Sequence, residues 1–482
     1  MSNIVIAIDI GTSSAKGAAV LPDGSVLATF QKAYPLVTPQ AHFVEQDPDV
    51  VAEAVIGLLK EVIDKTGSGS LLAISFSSAM HSVMLVDEAG RPLTNLLTWA
   101  DTRSHEEAAA LRKKSLGKKL HQITGTPIHP MSPLCKLMWM RRHMPDKLRH
   151  ANKIVGIKEF VFYRLFNEWL VDHSIASATG LFDNQNLHWS PDALNVAGIS
   201  AEQLSTPVPT TSFLTSILPD QAKRLGLDRE IPFVMGASDG CLANLGSGVM
   251  KRGELAVTIG TSGAVRMTLK KYIPDEHGKI FNYILDQDHY VAGGATNNGA
   301  AVLAWFEKAF GRESEVSVPG DVRKIPAGCE GLVFLPYIFG ERAPIYNPSA
   351  RGVFFGIDIR HTRMHFRRAV MEGICFQIKS IIESMKSLGP FKKVMASGGF
   401  TNSKEWVQML SHVLGREVLV VNEVDSSALG AARLAFQALG TSVTGDWTGE
   451  AISYTPTAGE HQVYLKQFQL FSSLYTRLED LF

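Results

Sequence analysis

A four-residue string occurs twice in this chain. Ile10-Gly11-Thr12-Ser13 returns as Ile259-Gly260-Thr261-Ser262, about half the chain further on. Its surroundings return with it. The apolar run Ile4–Ile10 enters the first copy and Ala15–Leu21 leaves it; Leu255–Ile259 enters the second and Ala264–Leu269 leaves it. Unbroken apolar runs of this length read as strands buried on both faces. A strand–turn–strand unit repeated at half-chain spacing predicts a duplicated domain. Gly246-Ser247-Gly248 marks a loop between the copies, which sets the domains at 1–246 and 247–482.

The rest of the chain fits an α/β class. Pro22-Asp23-Gly24 is a turn signal, Ser25–Phe30 a third strand, Pro48–Thr66 an amphipathic helix and Leu71–Phe76 a further buried strand. In the second half, Val394–Ser397 is a strand, Asn402–Leu414 a helix, Val418–Val421 a strand and Ser427–Leu439 an Ala-rich helix. Lys+Arg and Asp+Glu both number 47, so nothing points to a nucleic-acid coat or to an anionic membrane surface. The four cysteines, at 135, 241, 329 and 375, lack disulfide or zinc spacing and read as reduced. No apolar run is long enough for a transmembrane helix, and Met1–Ile10 opens as a strand without a signal-peptide pattern. The expected location is cytoplasmic.

Around the first turn the pattern is Asp-x-Gly-Thr-x-x-x-Lys. Gly11 lets a ligand approach the backbone, and Thr12, Ser13 and the amides beside them supply donors around one point. Lys16 adds a cation. Asp9 adds a carboxylate at a strand end, suited to Mg²⁺ held largely through water. A tight hairpin with a surface lysine would look the same in one copy; the second copy, Gly260-Thr261, argues for a pair of phosphate turns facing each other across a cleft. The chain has no GxxxxGK[ST], no GxGxxG opening a helix after a strand, and no kinase HRD or DFG motif.

These motifs resemble the FGGY carbohydrate kinases of the actin/hexokinase/Hsp70-type ATPase superfamily, along essentially the whole chain. Met131-Ser132-Pro133-Leu134-Cys135-Lys136-Leu137-Met138-Trp139-Met140 looks like the first family signature. Gly352–Ile357 with His365–Glu372 looks like the second, preceded by Gly340-Glu341-Arg342-Ala343-Pro344. The resemblance implies two duplicated ribonuclease H-like domains with the active site in the cleft between them. Within the family, Thr98–Ser104, Gly125–Met131 and Asp172–Phe182 are similar to gluconokinase blocks. Ala79-Met80-His81 stands where xylulokinases usually carry Gln-Met-His, a departure that moves the expected acceptor away from xylulose.

A sugar kinase needs a carboxylate to accept a hydroxyl proton. Asp239, delivered by the strand Phe233–Met235 to a turn before a helix, is the candidate; a helix N-cap is the other reading of its position, and the family resemblance favours the base. Met80, His81, Trp99, Asp101 and Arg103 are expected to contact the acceptor, together with Asp239. A gluconate carboxylate calls for a cation, and Arg103, His81, His129 and Lys158 are the candidates. Gly398, Gly399 and Asn402, with Gly299 and Ala300 before a second helix, are expected at the nucleotide. The expected partners are therefore ATP, Mg²⁺ and a small sugar acid, with no nucleic acid and no membrane; a homodimer is the candidate assembly. Phosphorylation of D-gluconate at O6 is the leading activity. A xylulokinase or other pentulose or polyol kinase, and more remotely a non-catalytic actin-like nucleotide switch, are the alternatives.

Overall fold

Ile4–Ile10 forms a strand buried along its whole length. It turns into the antiparallel strand Ser14–Val20, which pairs with Val26–Ala33. Leu71–Ser78 lies parallel on its other side, Phe233–Ser238 lies parallel beyond that, and the short Phe213–Leu214 forms the antiparallel edge. Three parallel strands thus bring their C-terminal ends, at Ile10, Ser78 and Ser238, to one edge of the sheet. The computed structural model describes residues 3–311, 322–421, 425–445, 447 and 449–482. They pack as two units. One takes in the described parts of 1–248, 269–291 and 424–447, the other those of 249–268, 292–423 and 448–482.

In the first unit, the helix Pro48–Thr66 covers one face of the sheet. Asp47 caps it by accepting from the Asp49 and Val50 amides, and Gly67, with φ at 77°, ends it. Its buried face includes Val51, Val55, Leu58, Leu59, Val62 and Ile63. A cap is worth about 1 kcal/mol, whereas each fully buried aliphatic side chain is worth about 1.5–3 kcal/mol; the face therefore holds the helix, and the cap sets where it begins. The helix lies close on the sheet because Gly17 lacks a side chain: a Cβ there would sit 2.8 Å from Val62 Cγ2.

The Ala-rich helix runs Ser426–Ala438 and packs in the first unit against Asp239–Gly246. The crossing is close enough to exclude side chains. A Cβ on Gly246 would lie 1.9 Å from the Ser426 carbonyl oxygen, and one on Gly430 would lie 2.0 Å from that of Leu242. The expected boundary at 246/247 divides the chain in sequence, whereas packing returns this later helix to the unit of the first hairpin.

In the second unit, Glu254–Ile259 pairs antiparallel with Gly263–Leu269 and parallel with Lys393–Ser397. Val418–Val421 follows in parallel and Ala451–Tyr454 closes the edge antiparallel. Arg363–Ser384, Lys404–Leu414 and Ala458–Leu478 are its long helices. All four cysteines are free and buried. Among the described residues no helix is long and apolar enough to cross a membrane.

Candidate active site

Asp9, Ala79–His81 and Asp239 stand at or just beyond the three parallel strand ends, where α/β sheets place ligands. Asp239 is the first residue of the helix Asp239–Gly246, with Ser238 as its N-cap. The Gly240 amide donates to Asp239 Oδ1 at 2.6 Å. A helix N-terminus favours a negative charge.

Asp9 is buried and faces the Ser14–Val20 strand in register with Lys16. Its Oδ2 accepts from Ser427 Oγ at 3.1 Å, while Oδ1 lacks a well-formed hydrogen bond among the described residues. Burial pushes the Asp9 carboxyl up to about 6; the Asp239 and Asp425 charges push the same way, against the Ser77 and Ser427 hydroxyls. Lys16 Nζ bonds Asp425 Oδ2 at 2.9 Å. Burial raises the Asp425 pKa, but Lys16, Ser427 and the Ala428 amide outweigh it and leave it below the usual range. Asp425 and Ser427 were absent from the sequence-derived site: both lie at the start of the Ala-rich helix, and nothing in that helix's local pattern says which sheet it joins.

The first turn is tied to the loop that carries Trp99. Gly11 N donates to Ser14 O at 3.1 Å, Tyr34 Oη donates to Gly11 O at 2.6 Å, and Gln46 Nε2 donates to Thr12 O at 3.0 Å. Ser13 is exposed. Trp99 Nε1 donates to Thr12 Oγ1 at 2.8 Å, so the indole is fixed against the hairpin. Gly11, Thr12, Met80, Ser82, Thr98 and Trp99 line a common cleft. Lys136, from the first signature, lies fully buried behind it and donates to the carbonyls of His81 at 2.7 Å and Thr98 at 2.6 Å. Burial lowers its pKa to about 7.

The four candidate cations are all buried. Arg103, whose side chain is 2% exposed, forks onto Asp101 at 2.7–3.0 Å, reaches Glu45 Oε1 at 2.5 Å and stacks on Phe43. Asp101, fully buried, also accepts from the Val44 amide at 2.8 Å. Lys158 pairs with Asp172 at 2.6 Å. His129 is buried, with Nδ1 accepting from the Met131 amide at 3.1 Å. His81 is buried with φ at 69°, and its Nδ1 bonds the Ala178 carbonyl at 2.7 Å. Arg103, Asp101 and Lys158 thus each have a charged partner inside the protein, and a desolvated charge is retained where it is paired.

In the second unit, Gly260 N donates to Ser262 O at 2.9 Å. The start of the helix Ala300–Ala309 docks on this turn through backbone. Ala300 N donates to Gly260 O at 2.7 Å and Ala301 N to Thr261 O at 3.3 Å. A Cβ on Gly299 would lie 2.5 Å from Ser262 O and 2.6 Å from Gly260 O. Gly398, with φ at 96°, would place a Cβ 2.6 Å from Ile259 O, whereas Gly399 has open space beside it. Asn402 is exposed and ends the 3₁₀ turn Gly399–Asn402; the helix after it starts at Lys404, capped by Ser403. That corrects the expectation of Asn402 at the helix start: Asn and Ser are equally good caps, and the later one takes the role. Glu341, also missed, gathers Thr296 Oγ1, the Asn297 amide, Asn298 Nδ2 and the Arg342 amide at 2.6–3.1 Å, fixing the loop before Gly299. Burial raises its pKa to about 7.

Residues 4–246 match the N-terminal domain, and 255–439 the C-terminal domain, of the FGGY family of carbohydrate kinases. The chain belongs to that family. The chain is 39% identical to a gluconokinase of Bacillus subtilis (strain 168), covering 100% of this chain and 97% of that protein. Among solved structures, a gluconate kinase from Lactobacillus acidophilus superimposes with a TM-score of 0.93 at 31% identity over 99% of this chain and 98% of that one. A ligand-bound xylulose kinase from Lactobacillus acidophilus gives the same values. The fold of this carbohydrate kinase is accordingly the two-domain, actin/hexokinase-like one, and the protein is an enzyme, which sets aside the nucleotide-switch alternative.

Proposed function

We propose that this kinase transfers the γ-phosphoryl group of ATP to O6 of D-gluconate, giving 6-phosphogluconate and ADP. The observation that carries the choice of acceptor is the 39% identity to a gluconokinase over the full chain. The gluconokinase-like blocks at Thr98–Ser104, Gly125–Met131 and Asp172–Phe182 agree with it. Asp239 accepts the O6 proton as the new P–O bond forms. Met80, His81 and Trp99 contact the sugar acid, with Lys136, Asp101 and Arg103 holding those loops in place. Lys16 and the turns Gly11–Ser13 and Gly260–Thr261 serve the phosphates, and Gly299, Ala300, Gly398, Gly399 and Asn402 the nucleotide.

The unbonded Asp9 Oδ1, close to the Asp239 and Asp425 charges, fits a divalent cation. Among the described residues no three His, Cys, Asp or Glu form a metal cage. Mg²⁺ that takes one carboxylate, phosphate oxygens and waters matches this donor set, and it would neutralise phosphate charge. The four buried, free cysteines suit the proposed cytoplasmic location.

The equal fit to a xylulose kinase structure favours xylulose as the second reading. A coupled ADP-release assay across gluconate, xylulose, ribulose and glycerol separates the two. Gluconate is expected to give the highest kcat/KM; turnover of xylulose with gluconate inert would replace the acceptor assignment.

A further inference from the structure

Lys158 and Asp172 form a buried ion pair to which the proposed function gives no role. Their side chains are 2% and 0% exposed, with Nζ 2.6 Å from Asp172 Oδ2. The same ammonium donates to the Met235 carbonyl at 3.1 Å and to that of Ala237 at 3.2 Å. Those carbonyls flank Gly236, where the pairing of Phe233–Ser238 with Leu71–Ser78 slips between Val234 and Ala237. Gly236 has φ at 68°, and a Cβ there would lie 1.7 Å from Phe76 O. The strand is bulged at this point, and a bulge re-aims the residues beyond it. Asp239 lies just past the bulge, at the end of this strand.

Asp172 also holds the next element. Its Oδ1 accepts from the Ile175 amide at 2.9 Å, capping the short helix His173–Ser177. Ser174 Oγ accepts from Ser238 N at 3.1 Å and donates to Ser238 Oγ at 3.0 Å. Ser238 is the residue before Asp239. The Asp172–Ala178 segment therefore grips the base-bearing strand at one end and, through Ala178 O, His81 at the other.

We propose that Lys158, anchored by Asp172, is a positioning residue for Asp239: it fixes the bulge that aims the carboxylate. The inference rests on the reading of Asp239 as the base. A buried ammonium is hard to keep unless several acceptors converge on it. Here three do, and two of them are strand carbonyls that the interrupted ladder leaves to other donors.

The test uses the full-length enzyme with gluconate and ATP. Lys158→Met together with Asp172→Asn removes both charges at once, and Asn still caps a helix. Its kcat is expected to fall about 10–100-fold, the scale of a misaimed catalytic group, while KM for ATP changes less than about twofold. Lys158→Arg should recover part of the loss. In an Asp239→Asn background the same pair of changes should cost little more, because the group being aimed is gone. A folded double variant with unchanged kcat, or with an equal loss in the Asp239→Asn background, overturns the proposal. If Asp239→Asn alone keeps its kcat, the base reading fails first; if it is inactive while the double variant is normal, only the positioning role fails. Should the double variant not fold, Ser174→Ala decides: a kcat loss of about 3–10-fold supports the proposal, and an unchanged kcat contradicts it.

Discussion

In the first hairpin Ile10 pairs with Ala15, so residues 11–14 make the turn; in the second Ile259 pairs with Gly263, so residues 260–262 do. The letters repeat, but the register differs by one residue, and in a strand that exchanges the faces. The chemistry differs more. Asp9 stands opposite Lys16, with Asp239 and Asp425 contributing to its field. The corresponding second-hairpin residue, Thr258, stands opposite Ala264 and shares a 3.0 Å hydroxyl bond with Ser397. What the second hairpin has is close backbone: Gly299 and Gly398 both press carbonyls within reach of a missing Cβ. The turn letters are shared, but charge gathers at the first copy and close backbone packing at the second.

The sharpest way to break this comparison is to remove charge from the first unit. Asp239→Asn is nearly isosteric, yet its amide cannot take the acceptor proton. Steady-state kinetics should show kcat lowered by about 10²–10⁴-fold with little change in KM for gluconate. A near-normal kcat in a folded protein removes the base assignment.

Arg103→Ala tests whether a charge in the same unit does structural work. It strands Asp101, which is fully buried, and breaking a buried pair from one side costs about 3–5 kcal/mol. Denaturant melts should show that loss. Gluconate KM should rise with it as the loop carrying Trp99 loosens. Unchanged stability with a raised gluconate KM would instead make Arg103 a direct acceptor contact.

Gly299→Ala strikes the second hairpin through shape alone. The added methyl meets two carbonyl oxygens at 2.5–2.6 Å, and overpacking of this kind costs about 1–3 kcal/mol. KM for ATP should rise roughly tenfold while KM for gluconate moves much less. Equal movement of both constants would mean that this turn is not specific to the nucleotide.

The smallest effect is on stability and has a definite sign. Asp9 titrates near 6 in the fold, above its ordinary 3.8, so the folded state holds this proton more tightly than the unfolded chain. The contribution of Asp9 to stability is therefore greatest below about pH 4 and is lost as pH rises towards 6. Asp9→Asn should melt higher than wild type above pH 6, by about 1–3 kcal/mol, with the gap closing near pH 4. Melting curves of the ligand-free protein across that range check it. A lower melting point at pH 7 would contradict the buried-charge reading.

Much of the first unit was legible because its signals are local. The Ile4–Ile10 and Leu71–Ser78 runs, the Pro48–Thr66 helix with its cap, and the Gly-Thr-Ser turns each carry their own pattern. The position of Asp239 at a strand end before a helix was legible from the Phe233–Met235 run, while its reading as the base came from the family resemblance. The hidden features depend on partners distant in sequence. Lys158 read as a free cation because nothing near it shows that Asp172 will neutralise it in the interior. The Ser426–Ala438 helix has an ordinary amphipathic pattern, so its contribution of Asp425 and Ser427 beside Asp9 emerges only from packing.

A Mg²⁺ titration of kcat in Asp9→Asn and Asp239→Asn, run side by side with gluconate and ATP, tests the division of labour within the first unit most directly. A weakened metal site is relieved by mass action, whereas a missing base is not. Raising Mg²⁺ should recover a substantial part of the Asp9→Asn defect and leave the Asp239→Asn defect where it was. Recovery of Asp239→Asn by Mg²⁺, or an Asp9→Asn defect indifferent to it, would contradict the account.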